Sequence, residues 1–166
     1  VYFAQNDLLT GHADRVERSR QTYRDQSDLA AVSRALRDGD VLDLGKGIEF
    51  RVLSTPGHTR GSVTFLWERE GLALIGDTVM GQGARVGALP LIYEPLKYAE
   101  TIDKLLQVDV SLLGLGHHYR TSAVPADSVH MGRGAVRAYL GASLGVSNAI
   151  GEAIRRAIAE LPDAGF

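Results

Sequence analysis

Three side chains able to hold a metal stand just past short apolar runs. His58 lies in Thr55-Pro56-Gly57-His58-Thr59-Arg60-Gly61-Ser62, directly after the alternating segment Ile48-Glu49-Phe50-Arg51-Val52-Leu53. Asp77 follows Leu74-Ile75-Gly76, and His117 follows Leu115-Gly116 at the end of another apolar segment. In each case a strand-like run is followed by glycine and then the side chain. Glycine lets the backbone turn sharply or approach a ligand closely. Strand ends gather along one rim of a sheet, so residues dispersed in sequence can converge there. Histidine with carboxylate suits zinc or another borderline transition metal. The chain has no cysteine, so thiolate ligation and disulfides are both excluded. Taken singly, each Gly-His or Gly-Asp is equally an ordinary turn. It is the repetition that points to a metal.

The elements that must position these residues follow from the patterning. Val41-Leu42-Asp43-Leu44 and residues 48–53 alternate at period two, with turn signals at Asp38-Gly39-Asp40 and Gly45-Lys46-Gly47. Ser62-Val63-Thr64-Phe65-Leu66-Trp67 and Leu72-Ala73-Leu74-Ile75 continue a meander of short strands. Residues 95–107 place Leu96, Tyr98, Ile102, Leu105 and Leu106 at helical spacing behind Pro95. Val110-Ser111-Leu112-Leu113-Gly114-Leu115 is apolar nearly throughout, which predicts a strand covered on both faces. Two helices are expected to close the chain, over about 125–140 and 147–161, the second with Ser147 as cap and a stripe of Ile150, Ile154, Ala157, Ile158 and Leu161. Residues 7–38, polar with scattered apolar positions, read as a helical surface segment, the alternative being an insertion. Strands beside helices in one domain over 1–166 give a mixed α/β class.

Bulk properties narrow the function. With 166 residues, 45% of them hydrophobic, a substantial core can form. The formal net charge of −2 and the lack of a basic run argue against a nucleic-acid partner. No apolar stretch is long enough to cross a membrane. The expected partner is a small-molecule substrate, and a cytoplasmic location is the default.

The wording of the motifs adds a family. Thr55-Pro56-Gly57-His58-Thr59 with Gly61-Ser62, then Gly76-Asp77-Thr78, then Leu115-Gly116-His117 resembles the metallo-β-lactamase superfamily over about residues 39–118. The resemblance implies an αββα sandwich with the site at one edge. It implies two zinc ions, or iron or manganese in their place. His58 would bind the first metal, Asp77 would bridge both, and His117 would bind the second. Thr59 and Thr78 would orient the ligands. His118, next to His117 in an extended segment, points to the opposite side and would serve the pocket or the packing, with Tyr119 near the site. Arg85 and Arg120 are further pocket candidates. His12 and His130 are expected at the surface.

The family's His-x-His-x-Asp-His motif, which supplies ligands to both metals, does not occur in the chain. Val1-Tyr2-Phe3-Ala4 reads like a strand entered partway. The expectation is therefore an N-terminally incomplete domain, inactive as this chain alone and prone to self-association through an uncovered sheet face. No catalytic side chain beyond a metal-bound water is assigned. The implied activity is hydrolysis of a small ester, thioester, lactone or amide. The alternatives are a non-catalytic interaction domain that keeps the fold, and an oxygen-reducing di-iron domain.

Overall fold

A computed structural model describes residues 34–85 and 88–160. Among them, six strands form one sheet in sequence order: β1 (Val41–Asp43), β2 (Glu49–Ser54), β3 (Val63–Trp67), β4 (Leu72–Gly76), β5 (Leu112–Tyr119) and β6 (Asp127–Met131). Neighbours are antiparallel except β4 and β5. Parallel neighbours need a crossover, and helix α1 (Pro95–Gln107) provides it. Helix α2 (Arg133–Glu160) follows β6.

Pro95 starts α1 where its missing N–H costs nothing. Tyr98, Thr101, Ile102 and Leu105 then recur on one face, and all are buried. Leu96, which the periodicity placed in this stripe, is 82% exposed. It sits two residues before Tyr98, nearly opposite it around the helix. α1 packs on α2, and α2 packs on β5 and β6.

Register shows which residues face the helices. Leu66 pairs with Ala73, Ala73 with Leu113, and Leu113 with His130. Directly paired residues share a face. This row is buried from end to end, with exposures of 3%, 0%, 0% and 5%. The next row, Phe65–Leu74–Gly114–Val129, faces away and is partly open. Among the described residues, then, there is one sheet with its helices on one face.

Four further expectations are corrected. The first closing helix starts at Arg133 and not near residue 125, because β6 and the turn at Gly132 precede it. The two closing helices are one helix of 28 residues, which runs through Gly141, Gly145 and Ser147. Its first half is anchored by Val136, Tyr139, Leu140 and Ser143, while Ile154 and Ile158 farther along are exposed. His130 is a core residue, because its strand turns it toward α2, where its ring lies 4.5 Å from that of Tyr139. The strand expected from Val110 is β5, but its outward Leu112 is only partly buried. The helical segment predicted over 7–38 lies outside the described residues up to residue 33, and so does His12.

Candidate metal centre

The Thr55-Pro56-Gly57-His58 segment leaves β2 and docks on the start of α1. The Gly57 carbonyl accepts from the backbone N–H groups of Tyr93 and Glu94, at 3.0 and 2.9 Å, and Thr101 donates to the Pro56 carbonyl at 2.7 Å. Gly57 has φ +151°, and a Cβ there would collide with the backbone and ring of Tyr98. This close approach requires glycine. His58 emerges from the docked segment with Nδ1 2.7 Å from the carbonyl oxygen of Leu91. A ring nitrogen facing a carbonyl must carry the proton, which puts the lone pair of the neutral ring on Nε2.

Asp77 follows β4 immediately. Its Oδ1 accepts from the Tyr119 hydroxyl at 2.6 Å and lies 2.9 Å from Nδ1 of His117. The same His117 nitrogen is 3.1 Å from the Tyr119 hydroxyl. Burial pushes the Asp77 carboxyl up. The hydrogen bonds from Tyr119 and His117, with the charges of His117 and His58, outweigh this and hold it below the ordinary carboxylate range. Asp77 is therefore ionised at neutral pH. A Cβ at position 116 would overlap Asp77 Oδ1, so Gly116 is what lets β5 approach the carboxylate.

The apolar pattern places His117 just beyond its strand, whereas the structure puts it within β5. The strand continues because Tyr119 pairs with Asp127 of β6, across a register shift after Gly114. His118 is exposed beside His117. Thr59 bonds to Ser62, through its amide at 3.2 Å and its hydroxyl at 2.9 Å, closing the turn after His58. Thr78 joins a buried hydroxyl chain, 3.3 Å from Thr55, which is itself 3.1 Å from Thr64. These two threonines brace the segments that carry His58 and Asp77. Arg85 is exposed, and Arg120 pins the loop after Asp77 through its backbone to Gln82 and Gly83.

The structure thus brings Asp77 and His117 into contact. His58 stands across a cavity of about 460 Å³ that both His58 and Asp77 line, together with Thr59, Thr78 and the apolar Val63, Phe65 and Ile75. Among the described residues, no three His, Asp or Glu side chains are gathered closely enough to hold one ion.

No family model matches the chain. It is 33% identical over 100 residues to a hydroxyacylglutathione hydrolase of Chelativorans sp. (strain BNC1), covering 60% of this chain and 38% of that protein. A metallo-β-lactamase family protein of Thermus thermophilus superposes with a TM-score of 0.53 at 25% identity, over 72% of this chain and 36% of the other. A β-lactamase domain protein from Burkholderia ambifaria gives a TM-score of 0.58 at 20% identity, over 81% and 39%. In sequence and in fold the chain is thus similar to proteins of the metallo-β-lactamase superfamily. It spans 38% of the length of the Chelativorans relative.

Metals of the kind this superfamily binds can be tested against the residues present. Metal-binding histidines commonly donate their second ring nitrogen to a carbonyl, as His58 does to Leu91. Asp77 is ionised and faces His117. The donor types fit a borderline divalent ion. Three side chains leave part of even one tetrahedral shell to other groups.

Sequence reasoning took Tyr98 only as part of a helical apolar stripe and did not single out Tyr139. Both are fully buried with hydroxyls bonded to the loop after Asp77. The available signal was a tyrosine within an apolar stripe, since a buried hydroxyl needs a partner.

Proposed function

We propose that this chain supplies part of the active site of a metal-dependent hydrolase acting on a small thioester of the acylglutathione type. The observation that carries the reading is the contact of Asp77 with His117 and Tyr119, formed by the same motifs in which the chain resembles that superfamily. The thioester class comes from the relatives named hydroxyacylglutathione hydrolase, and it is one choice among the ester, thioester, lactone and amide substrates that the resemblance allows.

In this reading His58, Asp77 and His117 would be the metal ligands, with Asp77 shared between two ions, zinc first and iron or manganese as alternatives. The bound ions would supply hydroxide near neutral pH and polarise the scissile carbonyl. The chain's own residues prepare the ligands. Leu91 fixes the tautomer of His58, and Tyr119 orients the Asp77 carboxylate by donating to Oδ1. Leu91 and Tyr93, both more than half exposed, lie beside His58. Among the described residues no helix is long and apolar enough to cross a membrane.

The test is thiol release from an acylglutathione thioester by the longest natural polypeptide that contains this chain. Asp77→Asn and His117→Ala are each expected to lower kcat/KM by more than roughly a hundredfold, with the loss reproduced by a chelator. Undiminished hydrolysis in both variants would overturn the reading.

A further inference from the structure

Asp77 begins a loop that three tyrosines from three different elements hold. Tyr119 of β5 donates to the Asp77 carboxylate at 2.6 Å. Tyr139 of α2 donates to the Val79 carbonyl at 2.8 Å. Tyr98 of α1 accepts from the Met80 amide at 3.2 Å. All three rings are essentially inaccessible to solvent, and they are the largest fully buried side chains among the described residues. Val79 is wholly buried too, so its carbonyl has no water to fall back on. Burial keeps each phenol protonated: Tyr98 is pushed up to about 12, and Tyr119 and Tyr139 are raised further. None of the three changes charge near neutral pH.

A merely apolar core would place phenylalanine at 98 and 139. The hydroxyls instead reach main-chain atoms two and three residues past Asp77 and fix the path of the backbone that carries its carboxylate. The two helices contribute no candidate metal ligand, yet each sends one polar atom to this loop.

We propose that Tyr98 and Tyr139 are positioning residues for the candidate metal centre, gripping the main chain at Val79 and Met80 so that Asp77 faces His117 and Tyr119. They touch no ligand atom themselves and act through the loop. A small movement of the backbone at 79–80 moves the carboxylate off Tyr119, because the hydroxyl–carboxylate bond has little slack at 2.6 Å. Tyr139 also packs its ring, tilted, against that of His130, so the grip on the site is continuous with the packing of β6 against α2.

The test compares Tyr139→Phe and Tyr98→Phe with Leu140→Val, a cavity variant at the neighbouring, equally buried position on α2. Two readouts are taken on the 166-residue protein: the carboxyl ¹³C resonance of Asp77 by NMR, and the dissociation constant for zinc. Both phenylalanine variants are expected to shift the Asp77 resonance and weaken zinc roughly tenfold. Leu140→Val is expected to lower the melting temperature comparably while leaving the Asp77 resonance and the zinc affinity as in the parent. The proposal is overturned if Tyr139→Phe leaves the Asp77 resonance unmoved, or if Leu140→Val moves it as far. The zinc readout rests on the hydrolase reading above and the carboxyl readout does not. A parent chain that binds no zinc therefore counts against that reading alone, and the Asp77 resonance still decides the clamp.

Discussion

The two faces of the sheet are built from the same strands and have opposite fates. Toward the helices, the Leu66–Ala73–Leu113–His130 row is closed, and even its histidine is 5% exposed. On the other side, Leu74 and Val129 are 40% and 45% exposed and Met131 is 75% exposed. Alternation along each strand fills both faces with apolar residues, but helices among the described residues cover only one. Local sequence therefore decides which residues a strand presents, and only a neighbouring layer decides whether they leave water. The candidate metal centre lies at the ends of β4 and β5, where the closed face supplies Tyr98, Tyr119 and Tyr139 as supports and the open face supplies the cavity wall of Val63 and Phe65.

The largest expected contrast is between one leucine from each face. Leu113→Ala removes a fully buried side chain from the closed row and is expected to cost about 2–5 kcal/mol. Leu74→Ala, on the open row, is expected to cost under about 1 kcal/mol, because much of that side chain already meets water. Urea denaturation of both variants checks this, and equal losses would break the two-face description.

The pH dependence of stability comes next. His130 has an Nε2 with no hydrogen-bond partner among the described residues, and burial holds its pKa below the ordinary 6.5, with the Asp127 charge opposing. The folded protein thus refuses a proton that the unfolded chain accepts below about 6.5. Stability should fall as the pH drops from neutrality through that value toward the folded-state pKa. His130→Phe should flatten this acid limb in thermal melts taken between pH 7 and pH 5, and an unchanged acid limb would show that His130 is not its source.

The smallest effect on stability, and the clearest on association, is expected on the open face. Val129→Lys and Met131→Lys together should change the melting temperature little and should reduce self-association in sedimentation velocity, because they charge an apolar edge strand. A parent protein that sediments as a monomer at all concentrations would show that the open face is not adhesive.

Much of this arrangement could be read from the residues. The period-two segments gave β1 to β4, and Pro95 with its stripe gave α1 at its observed bounds. β6 escaped because its alternation is inverted: Val129 and Met131 point to water while His130 points to the core, so the usual apolar-in pattern suggests nothing. α2 was split in two because Gly141, Gly145 and Ser147 look like a break and a cap, whereas packing of Val136, Tyr139 and Leu140 carries the helix through. At the site, residue types and flanking glycines singled out His58, Asp77 and His117. The geometry adds what spacing cannot carry: Gly116 is needed for contact with Asp77, and the loop after Asp77 hangs on tyrosines far away in sequence.

The central claim is that His58, Asp77 and His117 serve one metal centre. The direct test is zinc bound per chain after equilibrium dialysis, compared among the parent, His58→Ala, Asp77→Ala and His117→Ala. The account predicts uptake by the parent and its loss in all three variants, with melting temperatures showing that each remains folded. A parent that takes up no zinc, or uptake that survives all three substitutions, would contradict it.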